Sequence, residues 1–480
     1  MRYSSRSREC QSSPLCARPR GLHCHDAGVQ IRAMTLELFE GAAGTGKTYN
    51  VVGRAAELVR DGVLGDDRRV LALTFMNGAR RRLQSRLGQN VLFRRRFECQ
   101  TFDVFSRTLA ARRRSLLTGN AAVLQRTATL NQFDGPCFQA ATLLETPAVQ
   151  RWVAASFPLV LVDEAQDLDD HRLRILQGLA GSCSIVAAAD AFQCLADGRD
   201  TAGVMGWLEG AGQTHRLTQP MRTEQRGLLT TANAVREGRD IKAVLTQSQH
   251  AQNPLWAAQG FRILEIHARN AQLVAWAIAN EMSQRNGQTA ILTPDAGNAS
   301  LRAALDIVGT RTWQRKNGQT FGPFPFTWEI QDVEIADALL ADIQLPPAAT
   351  YADFCAVLLP FAVNVPVAQA ISRMDRLRRV RGQNDFTSAH VEEFVRDAVR
   401  NQSRLGFRQH RGHLAMTIHR AKNREFQNVV VLWPHTAVGS PEQLRRLLYN
   451  AVTRAINHCT VIVLGRGRLD APPFAPSAVP

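Results

Sequence analysis

Lysine is nearly missing from this 480-residue chain: among its 58 Lys+Arg residues only Lys47, Lys242, Lys316 and Lys422 are lysines. The arginine skew fits a GC-rich coding sequence, and it tempers what the net charge alone can mean. No run of about 18 uncharged apolar residues occurs, so a transmembrane helix and a membrane partner are not expected. The nine cysteines are scattered from Cys10 to Cys459. That set does not read as a disulfide framework, and it fits a reducing cytoplasm.

What is present is a globular composition. Hydrophobic residues make up 45% and charged residues 21%, which excludes wholesale disorder. The length allows roughly three domains. A net charge of +16 points to a polyanionic partner, most often nucleic acid. Residues 1–33 are rich in Arg, Ser, Cys and His and lack hydrophobic periodicity. They have no apolar core for a signal peptide. Cys10, Cys16, His23, Cys24 and His25 match no standard zinc spacing. An over-extended translation start, with the protein opening at Met34, is the preferred expectation.

The strongest motif is Gly41-Ala42-Ala43-Gly44-Thr45-Gly46-Lys47-Thr48, a G-x-x-x-x-G-K-[ST] loop. Its glycines let the backbone curve so that successive N–H groups face phosphates, and the following helix adds its positive end. Lys47 would reach the β- and γ-phosphates of a nucleotide, and the Thr48 hydroxyl would ligate Mg²⁺. Leu159-Val160-Leu161-Val162 reads as a buried parallel strand ending in Asp163 and Glu164. Carboxylates at a strand's C-terminal end stand where α/β sheets bind ligands. Asp163 is placed to hold Mg²⁺ through water, and Glu164 to act as general base toward an attacking water.

At this point the chain resembles the UvrD/Rep/PcrA-like superfamily 1 DNA helicases, with motifs in that family's order across most of residues 35–466. Val70–Ala79, with Thr74, Phe75 and Asn77, is similar to the motif that grips single-stranded DNA. Thr101-Phe102-Asp103 resembles the second DNA contact, usually "TFH". Asp163–Asp167 has the family's "DEAQD" form. Ala189–Gln193 resembles "GDxxQ", whose glutamine, here Gln193, senses the γ-phosphate. Leu217–Thr223 resembles "LxxNYRS", which implies an arginine finger at Arg222. Thr417–Phe426 resembles "TxHxAKGLEF", implying DNA contacts at Thr417 and His419 and a ribose contact at Glu425. Tyr449–Ala455 resembles "YVAxTRA", implying a second arginine finger at Arg454. The departures are Met221 for the adenine-stacking Tyr, with Tyr49 as a substitute ring, Leu195 for an aromatic, and Asn423 for a glycine.

The expected fold is α/β, with two RecA-like parallel-sheet P-loop NTPase domains and short inserted subdomains. The first domain spans 34–215 with an insert at about 103–157. The second spans 216–312 plus 411–468, interrupted by an accessory subdomain at 313–410, and the Pro-rich tail 469–480 is expected to be disordered. The 313–410 segment opens with a Phe/Pro-rich stretch and carries Arg373, Arg376, Arg378, Arg379 and Arg381. It reads equally as a duplex or protein contact and as a packed domain with a solvated basic helix. Arg80, Arg81 and Arg82 read as a phosphate contact or a solvated helix face. The resemblance implies an ATP- and Mg²⁺-dependent helicase or translocase moving 3′→5′ on single-stranded DNA and separating duplex, in repair, replication or recombination. The rival is a nucleic-acid-sensing ATPase subunit paired with a nuclease or repair factor, as in a phage-defence complex. A remodeller of protein–nucleic-acid complexes is the third reading.

Overall fold

The computed structural model describes residues 35–476 except 76, 131–132, 197–198, 248–250, 253–255, 267–269, 296–298, 330–331 and 406–411. The 1–33 extension, including its cysteine–histidine group, lies outside the described residues.

The first domain is a six-stranded, fully parallel sheet. Its strands are β1 (Leu36–Gly41), β2 (Val70–Thr74), β3 (Phe97–Thr101), β4 (Leu159–Val162), β5 (Ser184–Ala189) and β6 (Gln213–Leu217). They run in the order β3-β2-β4-β5-β1-β6. Alternation along each strand feeds two separate cores, as a sheet covered on both faces requires. Leu71, Leu73, Val160 and Val162 point to one face. Val70, Ala72, Leu159 and Leu161 point to the other, against Val51, Ala55 and Ala56 of the helix Lys47–Arg60.

The segment expected as a first insert, 103–157, is instead a layer of this domain. Its helices contribute Leu109, Leu117, Val123, Cys137, Ala140, Leu144 and Val153 to the same core as the sheet. Their apolar faces are one-sided, so they must bury against something, and the sheet is what they cover.

The second domain is built on an eight-stranded sheet. Its strands are β7 (Ala251–Gln252), β8 (Ala257–Ala258), β9 (Phe261–Ile266), β10 (Thr289–Thr293), β11 (Phe326–Trp328), β12 (His413–Thr417), β13 (Phe426–Trp433) and β14 (Ala455–Leu464), ordered β11-β12-β10-β13-β14-β9-β8-β7. From β11 to β9 every pairing is parallel; β8 and β7 add an antiparallel edge.

Two boundaries differ from expectation. The Phe/Pro-rich stretch does not open the accessory subdomain. Trp313, Phe321, Phe324, Phe326 and Trp328 pack into the second domain's core, and β11 pairs with β12. The accessory subdomain proper comprises Asp332–Ala341, Tyr351–Leu358, Val365–Arg381 and Ser388–Leu405, around Phe354, Met374, Phe386 and Val395. The tail is not loose up to Ala475. Phe474 is 1% exposed and meets the Trp433 ring at 5.8 Å, and its carbonyl accepts from the Ile241 N–H at 2.9 Å. Only 477–480 lie outside the described residues.

The arginines of the accessory subdomain are largely spoken for. Arg373 pairs with Asp397 at 2.7 Å and lies over the Phe394 ring, and Arg378 and Arg379 both pair with Asp375. Arg376 is exposed. The side chain of Arg381 lies outside the described residues.

Candidate nucleotide site and nucleic-acid cleft

The P-loop joins β1 to the helix Lys47–Arg60. Gly44 (φ 83°) and Gly46 (φ 79°) hold left-handed backbone that a side chain would strain. A Cβ on Gly46 would also lie 2.4 Å from the Met221 Sδ. This loop forms one wall of a cavity of about 350 Å³ between the domains. Ala43, Gly44, Gly46, Lys47, Thr48, Tyr49, Asp163, Glu164 and Gln193 come to it from the first domain. Met221, Arg222, Asn423, Glu425 and Arg454 come from the second. Gly41, Ala42 and Thr45 form the loop's base: the carbonyls of Gly41 and Ala42 accept from Lys47 Nζ at 2.9 and 3.2 Å, and Thr45 Oγ1 donates to the Ala42 carbonyl at 2.9 Å.

Thr48 Oγ1 lies 3.2 Å from Asp163 Oδ2. Among the described residues no group of three or more His, Cys, Asp or Glu could hold a metal alone. One hydroxyl and one carboxylate suit Mg²⁺, which completes its shell with phosphate oxygens and water. Burial pushes the Asp163 carboxyl up to about 6, and the neighbouring Glu164 charge adds to this. Glu164 is shifted the other way. Burial opposes its charge, but Lys47 and Lys422 outweigh burial, and Gln166 Nε2 donates to it at 2.6 Å. Glu164 also holds φ 59°, a left-handed conformation that non-glycine residues adopt mainly at strained, functional positions.

The arginines are differently seated. Arg222 donates to the Thr453 carbonyl at 2.6 Å and pairs with Glu425 at 2.8 Å. Arg454 is 2% exposed and held by the Asn450 carbonyl at 2.9 Å. Burial first, then the like charge of Arg222, lowers its guanidinium to about 9. Asn423 takes φ 63°, so the position where the resemblance has glycine keeps the turn, at the residue type that best tolerates it.

Three contributors escaped the sequence reading, and a fourth, Arg82, was read only as a phosphate contact or a solvated helix face. Arg82 and Arg86 line the cavity, and Arg82 stands 3.7 Å from Glu425. Their helical spacing of four was the available signal. Tyr449 crosses from the second domain and accepts from the Ala43 N–H at 2.8 Å; burial pushes its hydroxyl up to about 12. Lys422 grips both oxygens of Asp167 at 2.6 Å, joining the "DEAQD" segment to the second domain. Only the fold brings that last pair together.

The residues expected to touch DNA divide into two groups. Thr74, Thr101, Phe102 and Thr417 are buried. Thr101 and Thr417 cap helices, accepting from the Val104 and Arg420 N–H groups. Asn77 opens a helix; its side chain lies outside the described residues. Phe75, packed 5.1 Å from Phe102, and the exposed His419 line a second interdomain cleft of about 540 Å³ with Leu195, Arg199 and Lys422, and Phe102, though buried, also borders it. Asp103, where the resemblance has histidine, pairs with Arg172 at 2.6 Å in this cleft.

The fold and the site define a two-domain P-loop NTPase. A family model described as an AAA domain matches residues 27–199. Another, described as a UvrD-like helicase C-terminal domain, matches residues 413–462. These two matches support a UvrD-like helicase assignment for the chain. No curated protein matches it. A crystal structure of arterivirus nonstructural protein 10, a helicase, is similar with 11% identity and a TM-score of 0.36. The match covers 91% of this chain and 61% of that one. Among the described residues no helix is long and apolar enough to cross a membrane.

Proposed function

We propose that this chain is an ATP-driven motor that moves 3′→5′ along single-stranded DNA and opens duplex ahead of it. The observation that carries the reading is the composition of the 350 Å³ cavity: the P-loop and two carboxylates on one wall, two arginines on the other. Lys47 and the P-loop amides bind the β- and γ-phosphates. Thr48 and Asp163 hold Mg²⁺, which when bound neutralises phosphate charge. Glu164, negative and fixed by Gln166, draws a proton from the attacking water, and Gln193 orients it. Arg222 and Arg454 stabilise charge on the transferring group. Glu425 accepts from the ribose, and Met221 and Tyr49 flank the base. Because the two walls belong to different domains, phosphate loss changes how the domains are held. The 540 Å³ cleft with Phe75 and His419 is the strand path, and Lys422 lines it while gripping Asp167.

The second reading, a sensor ATPase that gates a partner nuclease or repair factor, is favoured by one feature. Leu195 lines the cleft where the resemblance has an aromatic, so one ring for base stacking, worth about 1–3 kcal/mol, is missing beside Phe75, Phe102 and Phe133. The test is ATP turnover with and without single-stranded DNA, beside Lys47→Ala, followed by unwinding of duplexes with 3′ or 5′ tails. The motor predicts DNA-stimulated turnover, lost in Lys47→Ala, and unwinding of the 3′-tailed duplex only. Turnover without unwinding by the purified chain supports the sensor. Turnover indifferent to DNA sinks both.

A further inference from the structure

Asp190 directly follows β5, near the P-loop lysine, and is fully buried. Its carboxylate accepts from Gln193 Nε2 at 2.8 Å, from Arg236 Nη1 at 2.9 Å and from the Phe192 N–H at 3.2 Å. Lys47 Nζ stands further off, at 3.8 Å. Two cations therefore share one buried carboxylate. Lys47 belongs to the P-loop. Arg236 belongs to the second domain, on the helix Arg226–Glu237, which none of the motifs covers.

Arg236 is also held by ring contacts from both domains. It donates to Tyr449 Oη at 3.3 Å, and its guanidinium carbon lies 5.6 Å from the Phe192 ring centroid. Phe192 itself is a first-domain ring seated in the second domain's core, edge-on to Tyr449 at 5.2 Å. The pairing of Arg236 with Asp190 thus exists only while the domains are docked.

A buried carboxylate demands a compensating charge. With Arg236 supplying it, Lys47 keeps a loose contact and is free to turn to a phosphate. Without Arg236, Lys47 becomes the counter-ion of Asp190, and a phosphate must compete for it. We propose that Arg236 is a positioning residue for nucleotide binding: by neutralising Asp190 from the second domain, it keeps Lys47 available to the β- and γ-phosphates. The P-loop then binds tightly only when the second domain is docked. This rests on the P-loop ATPase reading above.

The test is equilibrium binding of a fluorescent, non-hydrolysable ATP analogue with Mg²⁺ to the full chain. Four variants are compared with wild type: Arg236→Gln, Arg236→Lys, Asp190→Asn and Arg236→Gln/Asp190→Asn. Arg236→Gln should raise Kd about tenfold, the effect of one pK unit of differential charge interaction. Arg236→Lys should stay close to wild type. Asp190→Asn and the double variant should agree within about twofold, because Arg236 acts only through Asp190. A merely structural arginine would not be rescued by removing Asp190. Wild-type affinity in Arg236→Gln overturns the proposal. So does a double variant weaker than Asp190→Asn by the full single-variant factor. If Arg236→Gln does not fold, the comparison of Asp190→Asn with the double variant decides, since neither leaves that carboxylate charged. A wild-type chain that binds no nucleotide removes the P-loop reading and the proposal together; normal wild-type binding with an unaffected Arg236→Gln removes only the proposal.

Discussion

Replacing Lys422 by methionine leaves Asp167 charged, buried and without its principal cation. Lys422 and Asp167 are 9% and 8% exposed, and both carboxylate oxygens are held at 2.6 Å. That burial puts the pair outside the regime of surface ion pairs, which contribute at most about 1 kcal/mol. Removing one partner of a buried pair costs about 3–5 kcal/mol, while replacing both with apolar groups is often neutral. Burial raises the Asp167 carboxyl pKa even with Lys422 opposing it, so desolvation already weighs on this interface. Lys422→Met should therefore shift domain docking by about 10²- to 4 × 10³-fold, taking about 1.4 kcal/mol per factor of ten. Lys422→Met/Asp167→Leu should recover most of the loss. Hydrogen exchange of the backbone at 163–168 and 419–424 is the assay. The single variant should exchange faster in both segments and the double close to wild type. A single and a double variant equally loosened would refute the reasoning, because the loss would then not come from a stranded charge.

Glu164→Gln should lower ATP turnover by about 10²–10⁴-fold, the usual worth of a positioned general base, with nucleotide affinity retained in equilibrium binding. Phe474→Ala should cost the second domain about 3–5 kcal/mol in urea unfolding, because a fully buried ring leaves a cavity. His458 is held neutral, its pKa lowered to about 3 by burial and then by Arg285 and Arg262. A depressed folded pKa means stability present above the unfolded value near 6.5 is lost as pH falls toward 3. The urea midpoint of the second domain should fall between pH 6.5 and pH 4, and His458→Gln should flatten that slope.

The parts of the site legible in sequence were those written in contiguous residues. The P-loop needs its glycines in order, and Val160 to Glu164 needs a buried strand that ends in acid. Both signals are local, so both could be read directly. β3 and β11 carry weak sequence signals for a physical reason. β3 is half-buried at a sheet edge, with no clean alternation, and β11 has only three residues. The Pro-rich tail misled because composition reports on local flexibility, whereas Phe474 is fixed by a distant ring, Trp433. Pairings such as Lys422 with Asp167, or Tyr449 with Ala43, join residues hundreds of positions apart and exist only through the docking of two sheets.

Tyr449 touches the P-loop, Arg222 and Arg454 reach the cavity from its far side, and the chain passes between the domains after β6. Met221, Arg222, Asn423, Glu425 and Arg454 thus reach the cavity only across a gap. A nucleotide held from both sides acts as an adhesive, and part of its binding free energy goes into bringing the halves together. Affinity measured on this chain then reports the stiffness of its hinge as much as the chemistry of its pocket. Changes near 218–225 that touch no nucleotide atom could retune the working ATP concentration of the protein.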